Sequence, residues 1–309
     1  ILTRGIRITG KDAADSLNAA GFQSLGDLAF ETGDLEAADS AYTNSETALE
    51  ANDLQARAAL LVRQIKLAVA STDPAQTRDY YKAYQGLLLQ LPGDTSLARM
   101  NLNVAASLMA SGASTWAPDI TLLIEQSAMI GAADAQLMSE VEQMRGQVAA
   151  LSGQPDAALK MLRRALAGLG ADATPAQTYR LYWQIGKLQA QAGEIDAALT
   201  NYERAIANLD RIRGELLQGS TLVFTERVLP VYQGYIELLL EKAEVPGQES
   251  KWLGQVQETL EGLNAAEILD YFDDNCVLPR DVMSLSNTAA GTAVLYPITL
   301  GTRPVLLVR

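Results

Sequence analysis

Few side chains in this sequence could act as a nucleophile or a base. Cys276 is the single cysteine among the 309 residues, and there is no histidine. A cysteine attacks as its thiolate, and the neighbouring Asp273 and Asp274 oppose thiolate formation. Without histidine, the chain cannot assemble a Ser–His or Cys–His catalytic pair or the commonest zinc sites. We therefore predict a half-buried structural role for Cys276 and expect neither a catalytic residue, nor a metal, nor a cofactor in this chain.

Acidic residues form two groups that could be mistaken for chemical sites. Asp270, Asp273 and Asp274 could bind a hard cation, but the segment lacks the glycine and the later glutamate of a calcium loop. It is better interpreted as a solvated acidic helix end. Glu258 and Glu261 have the spacing of a solvated helix face, and we favour that interpretation over a glycosidase pair.

A large aromatic residue flanked by two cations is the best candidate for partner binding. Arg180, Trp183 and Lys187 follow one another at helical steps of three and four. Such a set could hold a peptide that has an apolar anchor and an acidic group. The competing interpretation is that Trp183 packs against a neighbouring repeat. Polar residues take comparable positions in two related segments described below, and these further groove candidates are Gln143, Gln147, Gln23 and Asp27.

The helix that carries this set belongs to residues 179–209, which predict a helix, a tight turn and a second helix. Apolar residues of the second part recur at steps of three and four, which indicates one buried helix face. Gly193 stands where a left-handed residue would end the first helix, and Asp196 lies in the first turn of the next. Gly186 and Ala198 would let the two helices approach closely, with Tyr202 filling the space beside them.

This pattern occurs three times. Each copy has a glycine, a second glycine seven residues later, an alanine five beyond that, a large residue four further on, and a small residue three after the large one. The copies are Gly26, Gly33, Ala38, Tyr42 and Ser45; Gly146, Gly153, Ala158, Leu162 and Ala165; and Gly186, Gly193, Ala198, Tyr202 and Ala205. Tyrosines 42, 80, 84, 182 and 202 are expected to pack between helices. Burial of such a ring contributes roughly 1.5–3 kcal/mol, which accounts for them without a ligand.

The repeated pattern resembles the tetratricopeptide repeat, a helical hairpin of about 34 residues. The resemblance covers residues 19–52, 139–172 and 179–212. It departs from the family pattern because the closing proline is absent and because Ala29, Ala149 and Gln189 replace the tyrosine of the first helix. The resemblance implies an all-α fold, a right-handed α-solenoid of such hairpins whose groove binds protein or peptide partners. The Lys and Asn pattern that grips a terminal carboxylate in some members is missing.

Other segments extend this architecture. Residues 53–130 predict two more helix pairs, similar to the repeats in period and length only. We expect the solenoid over residues 1–214 and a helical neck over 215–272, with a linker near 245–250 and a helix restart at Pro230. Residues 292–300 and 304–309 predict a β-hairpin. A hairpin alone is marginal in water, so we expect it to belong to an incomplete α/β domain that begins near residue 273.

Residues 220–309 resemble a junction in bacterial TPR-CHAT proteins, in which a tetratricopeptide array precedes a caspase-like cysteine peptidase domain. The resemblance rests on FTERVLPVYQGYIELLL, NAAEILDYFDDNCVL and AVLYPITLGTRPVLLV. The catalytic His and Cys of that family lie downstream of the first strands and match no position here, so Cys276 does not correspond to the nucleophile. The resemblance implies a repeat region followed by the opening of the peptidase domain.

The net charge of the chain argues against some classes of partner. The formal net charge of −13 argues against nucleic acid and against an anionic membrane surface. No run of about 20 apolar residues predicts a membrane span. A single cysteine fits the cytoplasm, and the periplasm after removal of a signal peptide is the alternative. We interpret the chain as a protein- or peptide-binding arm of a larger protein, with two alternatives: part of a CHAT-type peptidase, or a structural oligomerisation module. The oligomeric state stays open.

Overall fold

The computed structural model describes residues 14–50, 52–170, 173–216, 224–272, 295–300 and 303–308. Asp273, Asp274 and Cys276 lie outside these residues, as does the side chain of Asp270, so the interpretations given for them stay predictions. The backbone contacts divide the chain into two compact units, residues 1–172 and residues 173–309. Each unit is described by itself.

Helices in the described part of the first unit pair in sequence order into hairpins. The pairs are α1 (Ala14–Glu31) with α2 (Leu35–Ala48), α3 (Leu54–Ala70) with α4 (Pro74–Leu88), α5 (Thr95–Gly112) with α6 (Ala117–Ile130), and α7 (Ala135–Leu151) with α8 (Pro155–Gly168). The first helices of successive hairpins contact one another, α3 against α5 and α5 against α7. This is the stacking expected of solenoid hairpins, and it includes the segment 53–130 that lacks the small-residue pattern.

Short polar signals set where these helices begin and end. Aspartates at the N-cap positions of α2, α3, α5 and α7 accept a hydrogen bond from the backbone N–H three residues later, and the aspartate before α4 does the same. Such caps satisfy N–H groups that have no partner within the helix. At the hairpin turns of the three repeat copies, Gly33, Gly153 and Gly193 have φ of 81°, 71° and 78°. The left-handed turn predicted at Gly193 is therefore confirmed, and Gly33 and Gly153 have the same conformation.

The second unit consists of two hairpins and a pair of strands. Helix α9 (Pro175–Gln191) pairs with α10 (Ile195–Leu216), and a π-helical segment (Phe224–Val228) leads into α11 (Leu229–Ala243), which pairs with α12 (Glu249–Phe272). Pro230 lies in the first turn of α11, as the predicted helix restart requires. The segment expected to be a neck is a further hairpin, and α11 packs on α10. Residues 244–248 form the turn between α11 and α12.

Two antiparallel strands complete the described residues of this unit. Strand β1 (Leu295–Leu300) pairs with β2 (Arg303–Val308), in a register that places Leu295 opposite Val308 and Leu300 opposite Arg303. Val305 of β2 packs against the apolar core that α9, α10, α11 and α12 share. The predicted all-α architecture with a short C-terminal β-hairpin is thus confirmed.

Glycines face large side chains at the close helix contacts that the sequence predicts. A Cβ atom on Gly186 would lie 2.9 Å from Cδ2 of Tyr202, and one on Gly146 would lie 2.9 Å from Cγ of Leu162. A Cβ atom on Gly26 would overlap the ring of Tyr42 in the same way. Because carbon atoms in contact lie about 3.5–4 Å apart, no side chain fits at these positions without a shift. The repeated pattern therefore marks where two helices touch.

A capping box begins α9, the helix that carries the candidate binding residues. The N–H of Thr174 donates to Oε1 of Gln177 at 2.9 Å, and the N–H of Gln177 donates to Oγ1 of Thr174 at 3.4 Å. We expect Thr174→Ala to lower the free energy of unfolding by about 1 kcal/mol, since the N–H of Gln177 loses its acceptor, the Thr174 hydroxyl. Urea unfolding followed by circular dichroism measures the change.

Thr200→Ala is the matched control for this prediction. Thr200 is an exposed residue inside α10, and its hydroxyl donates to the carbonyl of Asp196 one turn earlier. A surface change of this kind should alter the free energy of unfolding by less than about 0.5 kcal/mol. Equal losses for the two variants would contradict the role given to Thr174.

None of the helices in the described ranges is both long and apolar enough to cross a lipid bilayer.

Candidate protein-binding surface

The surface of α9 combines cations and aromatic rings without acidic residues. Its sequence, PAQTYRLYWQIGKLQAQ, contains Arg180 and Lys187 and neither aspartate nor glutamate. Both cations are exposed, whereas Trp183 between them is half-buried. Lys187 lies seven positions after Arg180, which is about 10 Å along the helix axis. We call Arg180, Trp183 and Lys187 the α9 surface.

Both cations of the α9 surface lie on aromatic rings of the same helix. Nζ of Lys187 is 4.2 Å from the centre of the Trp183 ring, and Cζ of Arg180 is 5.7 Å from the centre of the Tyr179 ring. Nε of Arg180 also donates to the hydroxyl of Tyr179 at 3.1 Å. Among the described residues, no carboxylate lies within ion-pair distance of either cation. Their positions are therefore set by ring contacts and not by counter-ions.

Trp183 is half-buried beneath Lys187 and projects little into solvent. Its ring packs against the core of the second unit, and its indole N–H is buried without a well-formed hydrogen bond. The indole still lies close enough to the Tyr202 hydroxyl to lower the pKa of that phenol, opposing the larger rise caused by burial. Trp183 therefore packs into the core on one side and carries Lys187 on the other, and its contact with a partner stays a prediction.

Lys187 bears a positive charge in surroundings that do not favour it. Desolvation by the neighbouring side chains lowers the pKa of its ammonium group. Although the side chain is exposed by area, the Trp183 ring covers one side of the ammonium and takes the place of water there. Such a group gains more from an incoming anion than a fully hydrated lysine does, since part of its hydration is already lost.

The second helix of the hairpin adds a cation that sequence reasoning missed. Cζ of Arg204 on α10 lies 5.6 Å from the centre of the Tyr182 ring on α9. The sequence shows that Arg204 belongs to the second helix of the repeat. It does not show that the side chain of Arg204 contacts a ring on α9. Tyr182 itself is partly buried against the core, in accordance with its predicted packing role.

In the first unit, Asp27 is engaged by its own chain. Its carboxylate accepts a hydrogen bond from the Tyr42 hydroxyl at 2.8 Å and pairs with Nε of Arg63 on α3 at 2.9 Å. Gln23 donates to the hydroxyl of Ser45 at 3.2 Å. These two groove candidates join neighbouring helices, so binding a partner through them would require their present contacts to be exchanged.

Gln143 and Gln147 lie one turn apart on α7 and are both half-buried. Gln143 already takes part in a polar contact. Nearby, Arg145 pairs with Glu125 of α6 at 2.7 Å and with Glu142 at 2.7 Å, which raises the pKa of its guanidinium group. The neighbourhood of these glutamines is therefore an internal ion-pair network, unlike the α9 surface.

Two cavities of the second unit have acidic walls, in contrast to the cationic α9 surface. One, of about 380 Å³, lies between α10, α11 and α12 and has Glu203, Asp210 and Glu258 in its wall. The other, of about 510 Å³, lies between α11, α12 and Val305 of β2 and has three glutamates in its wall. The hydroxyls of Tyr232 and Tyr235 donate to Asp210 and Glu203. Neither cavity could attract an acidic partner.

Comparison with known proteins supports a tetratricopeptide array. The family model of the tetratricopeptide repeat, TPR_8, matches residues 179–207. The chain is similar to the crystal structure of BtubC (BKLC) from P. vanneervenii, with 17% identity and a TM-score of 0.55 over 69% of this chain and 90% of that chain. At this identity the likeness concerns the fold.

Two crystal structures of MamA are more distant likenesses. One has 16% identity and a TM-score of 0.40 over 60% of this chain and 95% of that chain, and the other has 16% identity and a TM-score of 0.39 over 63% and 93%. No curated protein matches the sequence.

Proposed function

We propose that this chain is a protein-interaction module that binds a peptide segment of its partner on the α9 surface. The single observation that carries the proposal is the placement of Arg180 and Lys187, two exposed cations that rings hold in position and that no described carboxylate neutralises. The resemblance to the tetratricopeptide repeat implies that first helices line the binding groove, and here the first helix α9 carries a preorganised cationic set. Preorganisation lowers the entropy lost when a partner binds.

Several other cations of the chain are already engaged in ion pairs. Arg63, Arg99, Arg145 and Arg164 of the first unit each face a carboxylate, at distances of 2.7–4.0 Å. In the second unit, Lys242 pairs with Asp196 at 2.8 Å. Those charges serve contacts within the fold. Arg180 and Lys187 form no ion pair with the described residues, so their charges stay available to an external partner.

Selection from a random peptide display library against the full chain tests the proposal. The readout for each selected peptide is the ¹⁵N–¹H signal of the Trp183 indole, assigned with Trp183→Phe and compared with the signals of Trp116 and Trp252. We expect selected peptides to shift the Trp183 signal and to leave the other two in place. A library that yields no binder, or binders that move only Trp116 or Trp252, would overturn the proposal.

A second candidate concerns the protein to which this chain belongs. We propose that the hairpin β1–β2 opens a caspase-like domain of the CHAT type and that the helical array controls it. What favours this is the packing of Val305 on the helical core, because it would join the start of a sheet directly to the array. The sequence downstream of residue 309 tests it. A strand followed by His-Gly and a later strand followed by Cys would support the peptidase, and their absence would contradict it.

A further inference from the structure

The charge pattern of the α9 surface identifies the chemistry of its partner. We propose that the surface binds an unstructured acidic segment through two carboxylates three residues apart, one on Arg180 and one on Lys187. The inference rests on the proposed function and adds the chemical class and the spacing of the ligand groups. The supporting observations are the charge of α9, the axial spacing of residues 180 and 187, and the contacts of the two cations with the rings.

The first step is the sign of the charge. Helix α9 carries two exposed cations and no acidic residue, within a chain whose net charge is −13. An acidic segment is repelled by most of such a surface and attracted where exposed cations have no acidic neighbour on their own helix, as on α9. Complementary charge of this kind contributes to specificity and to the association rate.

The second step is how the cations are held. The Trp183 ring covers one side of the Lys187 ammonium, and Arg180 is held beside the Tyr179 ring by its hydrogen bond to the phenol oxygen. Neither cation has a carboxylate partner among the described residues. A partly desolvated cation of fixed position binds a carboxylate more strongly than a mobile, hydrated one. Trp183 acts in this arrangement as the support of Lys187, because its own ring is already packed on the core.

The third step is distance. Residues 180 and 187 are separated by about 10 Å along the helix axis. In a polyproline II segment, residues three apart point to the same side and are separated by about 9 Å. Polyproline II is a major conformation of unfolded chains, so an unstructured acidic segment reaches both cations without folding first. A single terminal carboxylate would occupy only one of the two.

Synthetic peptides without terminal charges provide the test. The probe is an acetylated and amidated decapeptide of Gly, Ser and Pro with Glu at positions 4 and 7, and a second peptide has Gln at both positions. Titration into the full chain at low salt follows the indole signals of the three tryptophans. We expect the Glu peptide to shift the Trp183 signal in a saturable manner, to weaken as salt is raised, and the Gln peptide to leave the signal unchanged.

Protein variants with matched controls assign the contact. Lys187→Gln and Arg180→Gln should each weaken binding about fivefold, the upper range for a single exposed ion pair. Lys187→Arg keeps the charge and the ring contact and should retain binding. Lys251→Gln is the control, since it removes a cation that lies 3.9 Å above another indole, that of Trp252, on α12. It should bind like the wild type.

The outcomes separate this inference from the proposed function. A shift of Trp183 by the Gln peptide equal to that by the Glu peptide overturns the inference and leaves peptide binding on the α9 surface in place. The same conclusion would follow if display-selected peptides shifted the Trp183 signal but contained no acidic residue. Absence of any shift with the Glu peptide also overturns the inference, whereas the display selection decides the proposed function independently. Equal losses with Lys251→Gln and Lys187→Gln would show a general charge effect and overturn it as well.

Discussion

Replacing Gly186 with leucine is expected to lower the free energy of unfolding by about 1–3 kcal/mol, because the added side chain overpacks the contact between α9 and α10. A Cβ atom at this position would already lie 2.9 Å from Cδ2 and 3.2 Å from Cε2 of Tyr202. Tyr202 is 4% exposed and has little room to withdraw. On its other side, a Cβ atom on Gly234 of α11 would lie 2.9 Å from the same ring. Urea unfolding followed by circular dichroism measures the loss.

Gly254→Leu is the matched control for this result. Gly254 lies in α12 of the same unit, is exposed, and has no atom within 4 Å of where its Cβ would stand. Because glycine is the poorer helix former, the substitution there should raise the free energy of unfolding by up to about 1 kcal/mol. If leucine lowers the free energy of unfolding at position 186 and raises it at position 254, the loss at Gly186 comes from packing. An unchanged stability of Gly186→Leu would contradict the contact assigned to the repeat.

The repeated glycines show what a single sequence could predict about this fold. Gly26, Gly146 and Gly186 each face the large residue sixteen positions later, namely Tyr42, Leu162 and Tyr202. This spacing is fixed by the geometry of one hairpin, so it can be found by comparing the sequence with itself. The contact of Gly234 with Tyr202 joins two hairpins whose connection has no fixed length. Self-comparison of the sequence could therefore not find it, and residues 215–272 were predicted only as a helical neck, within which α11 and α12 form a hairpin.

The candidate binding residues were predictable to a different degree. Periodicity placed Arg180, Trp183 and Lys187 on one face of a helix, which the structure of α9 reproduces. It could not reveal that Asp27 is occupied by Tyr42 and Arg63, since those residues come from two other helices. Whether a polar side chain is available depends on the rotamers of its neighbours across the fold. Local spacing carries no information on that point.

Stability is expected to fall steeply as the pH rises above about 10, because folding raises the pKa of buried tyrosines. Burial, with a further contribution from Glu237, raises the pKa of Tyr202 to about 12. Burial also raises the pKa of Tyr42, Tyr81, Tyr84 and Tyr235, and all of these but Tyr84 donate to a carboxylate. In the unfolded chain these phenols have a pKa of about 10.

The sign follows from proton binding in the two states. Between pH 10 and 12, the unfolded chain loses tyrosine protons that the native protein keeps, so stability falls with rising pH and is fully present below pH 10. Each tyrosine that titrates only in the unfolded state contributes up to about 1.4 kcal/mol per pH unit. Tyr202 alone therefore accounts for up to roughly 3 kcal/mol over its window. The lowered pKa of Lys187 acts in the opposite direction, but it is one group against several.

Urea unfolding at pH 8, 9, 10 and 11 measures this dependence, and absorbance at 295 nm follows tyrosine ionisation in the same samples. Native tyrosine absorbance should rise at a higher pH than that of the urea-unfolded chain. Tyr202→Phe keeps the ring between Gly186 and Gly234 and removes the titrating hydroxyl, so its stability should fall less steeply above pH 10 by the share of one tyrosine. A stability that is flat from pH 9 to 11 would mean that these phenols are not buried in the native protein. Since Tyr202 is held between two glycines, that result would remove the packing on which the α9–α10 hairpin, and with it the α9 surface, depends.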